Sequence, residues 1–387
     1  QALIDDEHAA GITWLTAGDQ PSPGEPFRFA RIERGFQPFG KWRIGNSLSF
    51  RLGGYRLAEN MTIARRVAQY SDELAGIIGE VNPDALWTLA LPRQILVLDH
   101  LLQRIDVPLH VSIHDDPESE ARTGSRWPHT LAAAMARSWP RLLERATSVD
   151  TVSTPMRDYI QARFGRDSIV IPPAPRLPLT DSPPPALNGC LNLGMSGCWF
   201  DSEKPIQALG QGLQRARRRG LFKQANIAWL DGQRALRYPT AQQFRAALAP
   251  DEVRFLPRLA EREAVRALTA CHVNYLPFWF ADEVHGRTSN PSKMCLYLPA
   301  ARPIIIHGPD DCMPVRFARE HGIGVVWNSL DPDTFPAVLE EVYRQLDNWP
   351  ELRAGYQALL DEPMSLEKNR ARFWQTMDAT CQGKRFP

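Results

Sequence analysis

Thr288-Ser-Asn-Pro-Ser-Lys-Met-Cys-Leu-Tyr-Leu-Pro-Ala-Ala-Arg-Pro-Ile-Ile-Ile-His307 reads as a loop, a helix and a buried strand in succession. Ser289 or Asn290 is placed to cap a helix whose first turn holds Pro291, Ser292 and Lys293. Met294, Tyr297 and Leu298 then share one helical face. Pro299 and Pro303 bracket the exit, and the apolar run after Arg302 suits an interior parallel strand. A helix start with a hydroxyl, a lysine and unbonded backbone N–H groups is a site for an anion, most naturally a phosphate or diphosphate. An ordinary solvated cap beside a surface lysine has the same local sequence, so the stretch alone leaves both readings open.

Working outward, the flanks alternate strand and helix. Strands are expected at residues 191–197, 225–230, 253–257, 272–277 and 322–327. Helices are expected at 203–219, 240–248 and from about 259 to 270, with further helices to the end of the chain. The first half repeats the rhythm, with strands at 84–90, 108–114, 148–153 and 168–171 and helices at 57–80, 93–104, 131–145 and 155–164. Such alternation with short links means parallel strands and two Rossmann-like halves. Residues 11–16 suit one more strand. Residues 21–45 have no clear period. Gly53-Gly54, before the first long helix, cradles a phosphate or makes a plain turn, and the turn is the simpler reading. Residues 172–185 hold seven prolines in fourteen positions. That is the composition of a semi-rigid, extended spacer, and it is the natural domain boundary.

Length and composition narrow the functional classes. A chain of 387 residues is long enough for two cores. The net charge of +1 gives no support for a nucleic-acid binder. No apolar run approaches the ~18 residues of a membrane-spanning helix. The first residues carry no basic-then-apolar leader and no initiator methionine, so the natural N-terminus is expected to be trimmed or to lie further upstream. The six cysteines form no C-x-x-C pair, which fits free thiols in a reducing compartment.

Ligands of such sheets bind beyond the carboxyl ends of the strands. His114-Asp115-Asp116-Pro117-Glu118 follows one such end and offers an imidazole and three carboxylates on a loop. These suit a general base or contacts to sugar hydroxyls, and equally a capped strand end with solvated acids. Arg215, Arg217, Arg218, Arg219 and Lys223 close a helix, where positive charge is favourable on its own account. The same run also suits contact with an anionic membrane surface.

Pro291-Ser-Lys-Met294, Leu296-Tyr-Leu298, the small pair Ala300-Ala301, Pro303 and the β-run together resemble the P-S-K-(L/M)-x-E-Y-x-A-x-G-x-P segment of GT-B glycosyltransferases of the retaining "group 1" type. Val152-Ser-Thr-Pro-Met156, with Tyr159 and Phe164-Gly165, is similar to the element that precedes the linker in that family. The resemblance covers residues from about 84 to the C-terminus and is strongest at 288–324. It implies two Rossmann-like domains facing across a cleft, with the last helix (365–377, carrying Phe373 and Trp374) crossing back to the first domain. The implied division is 1–175, an acceptor-side domain; 176–188, a proline-rich linker; 189–362, a nucleotide-sugar domain; and 363–387, the returning helix.

The implied activity is transfer of a sugar from a nucleoside-diphosphate sugar to a glycan, lipid-linked or small-molecule acceptor. Retention, independence of metal, and no cofactor beyond the donor substrate are expected. By this resemblance Gly197, Lys204, Ser292 and Lys293 hold the donor diphosphate. Thr288, Asn290, Pro291 and Tyr297 meet the nucleoside or sugar. His114, Asp115 and Glu283 are the candidate catalytic groups, His114 matching a histidine that touches the donor sugar. If the enzyme inverts instead, the base is expected among Asp115, Asp116 and Glu118. The setting implied is cytoplasmic polysaccharide biosynthesis, with peripheral contact at the inner face of the membrane as a further possibility.

There are departures from the family pattern. Cys198 stands where the family has an Arg after the glycine, although Lys204 keeps the lysine place. Leu296 stands at the second Glu of the E-x7-E pair, which usually holds the ribose, and Thr288 stands at the first. They leave open a non-catalytic GT-B-fold protein that binds a sugar nucleotide or glycan, and more remotely a sugar-nucleotide epimerase.

Overall fold

The computed structural model describes residues 13–16, 28–31, 55–123, 128–197, 203–236, 239–248, 252–280 and 284–383. The chain forms two compact units, one of Gln1–Ile171 with Arg370–Pro387 and one of Pro172–Asn369.

In the first unit β1 (Thr13–Thr16) and β2 (Arg28–Arg31) form a parallel pair. A separate parallel sheet has the order β3 (Leu86–Leu89), β4 (Leu109–Ile113), β5 (Ser148–Thr151), β6 (Ile169–Val170). Its helices are α1 (Tyr55–Val81), α2 (Pro92–Leu101), α3 (Pro117–Thr123), α4 (Pro128–Arg145) and α5 (Thr154–Phe164). Helix α5 shows why these boundaries fall where they do. The Ser153 hydroxyl accepts the Met156 N–H at its start, and Gly165, at φ 65°, ends it in the left-handed conformation that glycine adopts without strain.

Strand β4 is buried along its whole length, and its two faces differ. Leu109, Val111 and Ile113 enter an apolar core with Ile95, Met135 and Trp139. His110 and Ser112 lie on the other face. There His110 meets the carboxylate of Asp150 at 2.6 Å and the hydroxyl of Ser148 at 2.7 Å. This polar face is covered by the last helix, α15 (Leu366–Cys381). Phe373 of α15 packs on Trp87 and His110, and the Thr380 hydroxyl bonds that of Ser148 at 2.5 Å. The returning helix expected at 365–377 is thus α15, and the unit boundary falls within it.

The second unit is built on a six-stranded parallel sheet: β7 (Cys190–Ser196), β8 (Gln224–Leu230), β9 (Val253–Phe255), β10 (Val273–Pro277), β11 (Ile304–His307) and β12 (Val325–Trp327). The spatial order is β12-β11-β10-β7-β8-β9. Counted from β7 this is 3-2-1-4-5-6, the Rossmann order, and the direction of winding reverses between β7 and β10. The sheet is buried on both faces, as parallel sheets with helical crossovers are. Ile305 enters one core with Tyr275 and Trp327, and Ile304 and Ile306 enter the other with Met294 and Tyr297. The helices are α6 (Glu203–Arg218), α7 (Gly232–Ala235), α8 (Pro239–Ala247), α9 (Glu261–Thr269), α10 (Val284–Thr288), α11 (Met294–Tyr297), α12 (Met313–His321), α13 (Phe335–Asp347) and α14 (Trp349–Asp361).

The proline-rich segment begins at the division between the units and runs as a strap on the second. Leu179 is buried in the core, and the Thr180 N–H bonds the Pro299 carbonyl at 2.9 Å. Arg353 holds the Thr180 carbonyl and the Asp181 carboxylate. The buried Arg302 guanidinium donates to the carbonyls of Pro183, Thr269, Cys271 and Ala301 at 3.0–3.1 Å. Burial lowers its pKa to about 10.

No helix among the described residues is long and apolar enough to cross a membrane.

Candidate functional site

Of the residues singled out in the second half, Gly197, Lys293 and Tyr297 meet at the carboxyl end of β7, beside the winding reversal. Strands β7 and β10 pair only at Val273 with Leu193 and Asn274 with Gly194, and then diverge. On their outer sides both ladders continue, to Ser196 with Leu230 and to Pro277 with His307. A crevice therefore opens at the place where open α/β sheets bind ligands.

Gly197 forms one lip of this crevice. Its φ is 93°, its N–H bonds the Leu230 carbonyl at 2.9 Å, and its carbonyl accepts the Trp229 indole N–H at 2.8 Å. Lys293 lies directly against it. A Cβ built on Gly197 falls 2.7 Å from Lys293 Cε and 3.6 Å from its Nζ. Glycine is required here both by the backbone angle and by the approach of the lysine.

The helix start expected around Lys293 is smaller than its sequence suggests. Helix α11 covers only Met294–Tyr297, and Ser292-Lys293 form the turn before it. Neither Ser289 nor Asn290 caps this helix: the N-cap position is Lys293, with no side-chain cap bond, and the Ser289 hydroxyl bonds His285 Nδ1 at 3.2 Å. Of the features expected to hold an anion, Lys293 and the glycine turn are the ones brought together, since one helical turn has little dipole to offer. Ser292 is exposed, Asn290 and Lys293 are half-buried and Pro291 is buried. Lys204 is exposed in the first turn of α6.

Two of the expected nucleoside contacts are corrected. Thr288 is 4% exposed and its hydroxyl donates to the Val284 carbonyl at 2.7 Å, so it serves α10. Tyr297 is 0% exposed. Its hydroxyl accepts the Ser196 N–H at 2.8 Å and donates to the Tyr275 carbonyl at 3.0 Å, which leaves it no surface for a ligand. Burial raises the Tyr297 pKa, so the phenol stays neutral. Glu283 and Cys198 lie outside the described residues.

In the first unit, His114 is exposed and Asp115 half-buried just beyond β4. The carboxylates that follow are not on a loop. Asp116 Oδ2 accepts the Ser119 N–H at 2.9 Å, capping α3, and Glu118 is a buried ion-pair partner of Arg163 at 2.6 Å. Both carboxylates are thus engaged by neighbours within the unit. Glu120, in the same helix, has its pKa raised by burial and then by the charge of Asp115.

Sequence reasoning missed three groups around the crevice. Tyr275 of β10 donates to His307 Nδ1 at 2.7 Å and lies 3.0 Å from the Pro205 carbonyl in the first turn of α6. His307 Nε2 bonds the Ser329 carbonyl at 2.8 Å. Burial takes the His307 pKa down to about 3, so the ring is neutral and its one proton sits on Nε2. Trp279 and His285 stack at 4.3 Å, both half-buried, past the end of β10. For His307 the available signal was a polar residue closing an otherwise apolar strand.

Two Rossmann-like units, with the last helix returning to the first, define the GT-B fold of glycosyltransferases. No family model matches the chain, and no curated protein matches it in sequence. Its fold is nevertheless shared with solved structures. A trehalose-6-phosphate synthase, studied with bisubstrate glycomimetics for glycosyl transfer with retention, aligns over 96% of this chain and 94% of its own, with TM-score 0.62 and 13% identity. The E. coli trehalose-6-phosphate protein bound with UDP-2-fluoro glucose aligns over 97% and 94%, with TM-score 0.61 and 13% identity. Anabaena HepE in complex with UDP and glucose aligns over 92% and 87%, with TM-score 0.56 and 15% identity.

Proposed function

We propose that this protein is a glycosyltransferase that moves a sugar from a nucleoside-diphosphate sugar to a sugar, glycan or lipid-linked acceptor, with retention of configuration. The observation that carries this reading is the contact of the Lys293 side chain with Gly197 at the winding reversal of a 3-2-1-4-5-6 sheet. A fixed cation beside a glycine turn suits the leaving diphosphate, whose charge grows as the glycosidic bond breaks. In this reading Lys293 and nearby backbone N–H groups, with Ser292 and Lys204, take up that charge without a metal or other cofactor. Asn290 and Pro291 border the nucleoside or sugar. His114, Asp115 and Glu283 are assigned to the transferred sugar and the acceptor. The similar solved structures support the reading at the level of fold, and two of them carry UDP or a UDP sugar.

A lipid-linked acceptor would place the enzyme in the cytoplasm at the membrane's inner face. Arg215 and Arg217 pair with Asp333 and Glu252, whereas Arg218, Arg219 and Lys223 are exposed and suit an anionic surface. A second reading, a binder without transferase activity, is favoured by the burial of Thr288 and Tyr297, which removes two expected ligand contacts.

The test is thermal unfolding with UDP, GDP, ADP and dTDP and their sugars, followed by turnover of the sugar that shifts the transition. A selective shift with turnover supports the transferase. A shift with no turnover on any acceptor supports the binder, and no shift refutes both.

A further inference from the structure

We infer that Tyr297 is a positioning residue whose buried hydroxyl props open the crevice between β7 and β10 and thereby sets the affinity for the nucleoside diphosphate. This rests on the proposed reading of the crevice as the donor site. The Ser196 N–H and the Tyr275 carbonyl belong to strands that pair one turn of the ladder earlier, at Asn274 with Gly194. In an uninterrupted parallel sheet such groups bond to each other directly. Here the phenol oxygen stands between them, accepting from one at 2.8 Å and donating to the other at 3.0 Å. Two bonds through a side chain replace one ladder bond, and the strands are held apart at the end where the ligand enters.

The same residue is joined to both sides of the site. Ser196 precedes Gly197, whose other contacts are the Leu230 carbonyl and the Trp229 indole. The Tyr297 N–H bonds the Lys293 carbonyl at 3.1 Å. Tyr297 therefore fixes the glycine turn and the lysine relative to each other. Tyr275, whose carbonyl Tyr297 grips, is itself held to the next strand by its hydroxyl, which donates to His307 Nδ1 at 2.7 Å. Ser196, Tyr275 and Tyr297 are buried, so water cannot replace the bonds of the Tyr297 hydroxyl without entering the core.

The experiment compares Tyr297→Phe with Tyr356→Phe. Tyr356 is equally buried and donates one bond at 3.0 Å to the Arg302 carbonyl, ahead of β11 and away from the crevice. Two quantities are measured: amide hydrogen exchange at Met195–Gly197 in the ligand-free protein, and the dissociation constant for UDP or whichever nucleotide binds best.

Tyr297→Phe is expected to accelerate that exchange at least tenfold and to weaken the nucleotide at least tenfold. Tyr356→Phe is expected to change both by less than twofold while lowering Tm. Unchanged nucleotide affinity in Tyr297→Phe, or an equal loss in Tyr356→Phe, overturns the inference. If Tyr297→Phe does not accumulate folded, Tyr275→Phe loosens β10 by removing its bond to His307 Nδ1 and is expected to weaken the nucleotide at least threefold; unchanged affinity there overturns the inference too. A wild-type protein that binds no nucleotide refutes the donor-site reading and with it the binding role, whereas unchanged exchange in Tyr297→Phe refutes the prop itself.

Discussion

Each unit buries a polar network centred on a histidine, and the two differ in partner and in place. In the first unit His110 sits in mid-strand, with the Asp150 carboxylate, the Ser148 hydroxyl and, through Ser148, Thr380 of the covering helix. In the second, His307 closes its strand and meets only neutral groups, the Tyr275 hydroxyl and the Ser329 carbonyl. The first network joins a helix to the middle of a sheet, so it bears on stability. The second lies at the carboxyl end of the sheet and holds β10, one of the two strands that part, to β11, so it bears on the shape of the crevice. Position along the strand, and not residue type, separates the two roles.

The largest expected effect breaks the first network. Asp150→Ala leaves His110 Nε2 and the Ser112 hydroxyl without their acceptor, and removal of one partner of a buried pair costs about 3–5 kcal/mol. Denaturant unfolding should show that loss, with nucleotide affinity of the folded fraction within twofold. A fall in affinity without a fall in stability would erase the distinction between the networks. Next comes the cation of the crevice. Lys293→Ala should lower turnover by about 10²–10³-fold, the usual cost of losing one group that stabilises developing charge, while Tm stays near the wild-type value.

Gly197→Ala forces an L-residue to φ 93° and drives its Cβ against Lys293 Cε. A left-handed backbone costs about 1–2 kcal/mol for such a residue. The lysine is the softer partner and should move, so at least tenfold weaker nucleotide binding is expected from calorimetric titration. A further effect is graded by pH. His307 is neutral in the fold down to about pH 3, whereas an unfolded histidine titrates near ~6.5. As pH falls below about 6.5 the unfolded chain binds the proton first. The contribution is therefore full above that value and declines toward pH 3, by at most about 1.4 kcal/mol per pH unit. Urea midpoints between pH 7 and 4.5 should show a shallower slope in His307→Gln than in wild type.

These contrasts also mark what the sequence made legible. Parallel strands declare themselves through apolar runs such as Ile304-Ile305-Ile306, and helix α5 through Ser153, Pro155 and Gly165, because those signals are local. Gly197 and Lys293 were legible as a pair only through resemblance, since they are far apart in sequence and meet through strand order. Tyr297 was placed at the ligand because its neighbours in sequence are; its ring points into the core, a fact of packing that spacing does not carry. Asp116 and Glu118 looked like a reactive loop because the short helix α3 is too brief to show a period. The contacts of the proline strap were not legible for a related reason. Its composition describes an isolated chain, while its course is set by Arg302 and Arg353 more than a hundred residues away.

The most direct test of the central claim is equilibrium unfolding of the wild-type protein and Lys293→Ala, with and without nucleoside diphosphate. A ligand at a hundred times its dissociation constant adds about 2.7 kcal/mol to stability. The account predicts that gain for one nucleotide in the wild type and most of it lost in Lys293→Ala. No gain with any nucleotide, or an equal gain in both proteins, would contradict it.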